Sequence, residues 1–129
     1  MACFLVPTGE AIVATIVKKG IQSKEDPAEV EQLENEGKIP WSRKLSWLTS
    51  LLWGGAILLC LEHMWHGEVV LWPPFLTAMA DPADTAEMLA EMGSVGVGMA
   101  VFVTVAWIVM VLVADNVPAI RSKLVGEAA

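Results

Sequence analysis

Residues 45–61, LSWLTSLLWGGAILLCL, and residues 93–114, GSVGVGMAVFVTVAWIVMVLVA, decide how this chain is read. Each is close to the roughly 20 apolar residues that a bilayer crossing needs. At about 1.5 Å per residue, residues 45–66 cover roughly 30 Å, the thickness of the hydrocarbon layer. All eight Lys and Arg lie outside residues 45–116, and the connector between the two runs is acidic and free of cations. Cytoplasmic loops of membrane proteins are enriched in basic residues, so both basic flanks are expected in the cytoplasm and the connector outside. The expected fold class is all-α: an integral membrane helical hairpin of two transmembrane helices, with room for a third, short amino-terminal helix.

The rest of the composition agrees. More than half of the 129 residues are apolar and under a fifth are charged, against roughly a quarter charged in ordinary soluble proteins. A net charge of −7 argues against nucleic acid as a partner, because phosphate binding needs clustered cations. The partners implied are the lipid bilayer and either further copies of the chain, as a homo-oligomer, or a larger membrane complex. Cys3 and Cys60 are too few to imply a disulfide framework, and Cys60 reads as a small packing residue. The first residues lack the basic stretch of a secretory signal, so no cleavage is expected.

Four segments follow. Residues 1–19 form an amino-terminal membrane-associated helix, expected from about Pro7 to Lys19 with Gly20 as its stop. Glu10 suits its first turn, where a carboxylate would cap the helix at the surface; if this helix spans, Glu10 becomes an intramembrane carboxylate that could pair with a partner or relay protons. Residues 20–44 form a polar cytoplasmic linker. Asp26-Pro27-Ala28-Glu29 within it has the chemistry of a helix start, Gly37 that of a stop, and Val30 and Leu33 give this short helix a single apolar face. Residues 45–116 form the transmembrane hairpin, with Trp41, Trp47, Arg43 and Lys44 at the inner interface. Gly67 ends the first span, and residues 67–92 make the extracytoplasmic connector. Asp81-Pro82-Ala83-Asp84 repeats the helix-start chemistry, Pro118 is expected to end the last helix, and residues 117–129 form a cytoplasmic tail. The location implied is the cytoplasmic (inner) membrane.

Lipid tails are as apolar as Leu, so membrane helices meet through small residues. The first span offers Ser46, Ser50 and Gly54. The second offers Ser94 and Gly98, with Gly96, Ala100 and Thr104 on the next ridge. These surfaces are expected to form the hairpin contact, a self-association face, or both. Trp53 and Trp107 lie mid-span as packing or lipid-facing residues.

One constellation could carry chemistry. Glu62, His63 and His66 fall within about 100° on a helix near the outer boundary. An antiparallel partner helix would bring Glu87 and Glu91 to the same depth. Imidazole with carboxylate suits a divalent transition metal, zinc or iron. Met88 and Met92, one turn apart, could add thioether ligands for copper. The bland alternative is that these polar groups meet headgroups, water and one another. The spacing matches neither H-E-x-x-H nor a di-iron E-x-x-H pair, so no catalytic centre is expected. The function expected is non-enzymatic: a self-associating or accessory subunit of a membrane assembly. The alternatives are metal binding or transport at the outer face, and a pore former of the holin kind.

Overall fold

The computed structural model describes residues 2–128, and side chains to residue 126. Its regular elements are all helical: α1 (Leu5–Gln22), α2 (Pro27–Asn35), α3 (Trp41–Trp65), α4 (Pro82–Glu91) and α5 (Val97–Ala128). A 3₁₀ turn at Thr77–Ala80 precedes α4, and a π-turn at Met92–Gly96 joins α4 to α5 without a break. Two helices are long and apolar enough to cross a membrane, Trp41–Trp65 and the continuous Pro82–Gly126, with mean hydropathies of 1.5 and 2.7.

Local chemistry sets most boundaries. Asp26 and Asp81 accept hydrogen bonds from the backbone N–H of Ala28 (3.0 Å) and Ala83 (2.7 Å), and Pro27 and Pro82 occupy the first helical positions behind them. A side-chain acceptor there satisfies a donor that the first turn leaves open, and proline has no donor to lose. Gly37 and Gly67 both have φ of 74°, a backbone region that glycine enters without steric cost. Beyond each, the chain folds back on the helix: Lys38 N–H donates to Leu33 O (2.8 Å) and Glu68 N–H to His63 O (2.9 Å). These paired bonds are the Schellman closure of a helix end.

Three boundaries differ from the sequence reading. The first helix runs from Leu5 to Gln22 and passes through Gly20. Glu10 therefore lies beyond the first turn and turns toward α5, where it hydrogen-bonds Thr104 Oγ1. Pro118 lies inside α5, which continues to Ala128. Proline costs a helix one backbone bond and crowds the preceding turn, but here the proline is exposed and the helix continues past it.

Helix α1 is the organiser. Cys3 meets His63 at the outer end of α3, Thr15 meets Trp53, and Lys18 Nζ reaches Ser46 Oγ at 3.4 Å. The two helices thus run antiparallel, with the alanine face of α1 against a leucine face of α3. Ala11, Ala14, Leu45, Leu48 and Leu52 form the buried cluster between them, joined by Val103 and Trp107 of α5. On its other side α1 runs parallel to α5, with Cys3 and Val6 beside Gly96 and Glu10 beside Thr104. At the inner end α3 holds α5 directly: Lys44 Nζ pairs with Asp115 Oδ2 at 2.8 Å, and Trp107 Nε1 donates to Lys44 O at 2.7 Å.

The small-residue ridges divide differently from expectation. A Cβ built on Gly96 would stand 2.9 Å from both Cys3 O and Val6 Cγ2, whereas Gly54 and Gly98 have nothing within 4 Å. Gly96 and Ala100 are buried, while Gly54, Ser50 and Gly98 are exposed. The ridge through Gly96 grips α1, and Gly54 and Gly98 take no part in packing between the helices of one chain. Of the two roles expected for these surfaces, the contact within one chain falls to the Gly96 ridge, with α1 as its partner.

Candidate functional site

The end of the bundle where α3 stops carries a polar cluster. Its centre is His63, 5% exposed, on the last turn of α3. Nδ1 lies 2.6 Å from Leu59 O, and a carbonyl can only accept, so Nδ1 carries a hydrogen. In the neutral ring this leaves the Nε2 lone pair facing Cys3 Sγ at 3.5 Å. Phe4 stacks edge-on against the imidazole with centroids 5.3 Å apart. Two carboxylates flank the ring: Glu62 Oε2 at 3.4 Å from Nδ1 and Glu68 Oε2 at 3.6 Å from Nε2. Glu68 is there because the Schellman closure at Gly67 turns the chain back over the helix end.

The structure brings Glu62, His63 and His66 together only in part. Glu62 reaches both rings, with Oε1 at 3.4 Å from His66 Nε2. The two imidazoles diverge, however: His63 points into the bundle, and the His66 side chain is 60% exposed. Glu87 is exposed and Glu91 half-buried on α4, and the first turn of α1 sits where these carboxylates were expected to face His63. Among the described residues no group of three His, Cys, Asp or Glu is arranged to hold a metal ion. The five-residue set Glu62, His63, His66, Glu87 and Glu91 is therefore not assembled as one site. Met88 is buried against Ala2 and Ala78, with Met92 beside it, as apolar filling.

Cys3 and Glu68 are the members of this cluster that the sequence reading missed. For Glu68 the signal was available, since a glycine stop folds the next residue back toward the helix it ends. For Cys3 no local signal exists; its partner is sixty residues away. What remains is a buried thiol–imidazole pair that ties the turn leading into α1 to the last turn of α3. A thiol S–H donating to an imidazole nitrogen satisfies both groups in a place water reaches poorly.

A wide concavity lies at the opposite end. About 810 Å³ separates α2 from the inner ends of α1, α3 and α5, with Val30 and Leu33 on one wall and Trp41, Lys44 and Asp115 on the other. Helix α2 stands off the bundle there, presenting the apolar face expected of it. No protein-family model, no curated protein and no solved structure matches the chain.

Proposed function

We propose that this chain is a small non-enzymatic integral membrane protein that acts as a self-associating or accessory subunit of a membrane assembly. The observation that carries the reading is its bare apolar surface. Of the most apolar 18-residue stretch in Pro82–Gly126, only 6% is buried within the chain. Phe102, Val105, Val109, Leu112 and Val113 on α5, and Ile57, Leu58 and Leu61 on α3, are all exposed. A soluble monomer rarely leaves more than a few hundred Å² of contiguous apolar surface in water. In hydrocarbon the same surface costs nothing.

The cations support one orientation. The long helices end at Lys44 and Arg43 on α3 and at Arg121 and Lys123 on α5, and α1 brings Lys18 to the level of Ser46. That end faces the cytoplasm in this proposal, by the preference of Lys and Arg for inner loops. The connector and the amino terminus then face outward, and α1 crosses as a third helix within the inner membrane.

Self-association is supported by an apolar groove of about 360 Å³ between α3 and α5, with Pro7 of α1 also in its lining and Leu51, Gly55, Leu59, Gly98 and Phe102 along its walls. Glycine on both walls lets another helix approach closely.

Membrane fractionation followed by mass measurement in mild detergent tests both halves. The chain should partition with membranes and emerge with further copies or a partner. A chain that stays in buffer without detergent overturns the membrane reading; a chain that always emerges alone and monomeric overturns the subunit reading.

A further inference from the structure

Among the described residues, Glu10 is a carboxylate held between helices away from either end of the bundle. Along α1 it lies about 10 Å from Cys3, which is level with His63, and about 12 Å from Lys18, which is level with Ser46. Its partner Thr104 stands midway along the apolar run of residues 93–114. If the helices cross a bilayer, as proposed above, Glu10 is near its midplane. An ionisable group at that depth is costly when charged and is functional by default.

Thr104 Oγ1 donates to Glu10 Oε1 and also lies 2.9 Å from Ala100 O. A hydroxyl has one hydrogen to give, so the two oxygens compete for it. A proton on Glu10 would supply a second hydrogen and let both contacts be made at once, with Thr104 turned to Ala100 O in the ordinary manner of a helical threonine. A cleft of about 240 Å³ opens beside the pair and is otherwise lined by Val97, Ala100, Val101 and Val105 of α5. None of these can titrate, and none can act as a counter-charge.

We propose that Glu10 is a proton-binding site within the membrane: a carboxylic acid donating to Thr104 Oγ1 and reachable from the lipid side through this cleft. A hard metal cation is a poorer occupant, since it takes about six oxygens; Glu10, Thr104 and one carbonyl fall short of that.

The test uses the full chain in its native membranes, treated with dicyclohexylcarbodiimide, an apolar reagent that adds to protonated carboxyl groups from the lipid phase. Peptide mapping should find the adduct on Glu10, and Glu10→Gln should lose it. Infrared spectra supply a readout independent of reagent access. The wild type should show a protonated-carboxyl C=O band that moves in D₂O, is absent from Glu10→Gln, and shifts to higher frequency in Thr104→Val as its hydrogen bond is lost. A membrane-bound chain with no adduct on Glu10 and no such band overturns the proposal while leaving the membrane reading intact. A chain absent from the membrane fraction overturns both.

Discussion

Two glycines two residues apart, Gly96 at the end of the π-turn and Gly98 at the start of α5, stand in opposite circumstances. Gly96 is pressed by Cys3 and Val6 so closely that a methyl group would not fit, while Gly98 faces open space. Along the side that continues from Gly96, Ala100 is buried and Thr104 meets Glu10; along the other, Val101, Phe102 and Val105 are exposed. One side of the helix is committed to the fold of this chain. The other is available to lipid or to another molecule. The same residue type therefore marks two different surfaces, and only the contacts of α1 tell them apart.

The sharpest way to break this contrast is Gly96→Val. Forcing a branched side chain against a backbone carbonyl and Val6 should cost about 3 kcal/mol, by the usual penalty for overpacking, and should loosen α1 from α5. Denaturant titration in detergent would read it. A cost near zero would mean that α1 is not gripped there. Next comes Leu52→Ala. Leu52 is the largest fully buried side chain, 1% exposed, in the cluster between α1 and α3. Its truncation should cost about 2 kcal/mol, whereas truncating exposed Leu58 should change little.

Much of the architecture was legible because it is written locally. The two apolar runs, the Asp26 and Asp81 caps and the Gly37 and Gly67 stops each depend on residues a few positions apart. The assembly of these pieces was not legible. The sequence reading left open whether Gly54 and Gly98 serve the hairpin contact or a self-association face, and it placed Glu10 at a helix start. Neither point could be settled locally: α1 packs against both spans, and its register depends on pairings such as Cys3 with His63 and Glu10 with Thr104, far apart in the chain. Pro118 misled for a different reason, since proline weakens a helix without always ending it when the position is exposed. For the outer cluster, helical spacing placed Glu62, His63 and His66 near one another but could not reveal that the two imidazoles point apart.

Gly98→Leu probes the open side. With nothing within 4 Å of the added Cβ, the fold of the single chain should be unchanged to within about 0.5 kcal/mol, as for surface substitutions elsewhere. Association should weaken, because a Leu would fill the groove beside Gly55 and Leu59. Mass measurement in mild detergent would show fewer copies per particle. Unchanged stoichiometry would move the self-association face elsewhere on α3 or α5.

The smallest effect belongs to a pair outside both surfaces. Lys38 Nζ and Glu36 Oε2 are 2.8 Å apart, as close as Lys44 and Asp115, but both side chains are well exposed. The ammonium of Lys38 holds the Glu36 carboxyl below its ordinary value, and Glu36 in turn raises Lys38. For Glu36, the lowered value means that any contribution to stability is present above the unfolded carboxyl's titration and fades as pH falls through the folded one. For Lys38, the raised value means that the contribution is present below the unfolded amine's titration and fades as pH rises through the folded one. The pair therefore works across the neutral range and fails at both extremes. Water and salt screen it throughout, so Lys38→Met should leave thermal unfolding at neutral pH unchanged within error. A clear loss would mean that the Gly37 turn, and with it the position of α2 over the inner cavity, depends on this pair after all.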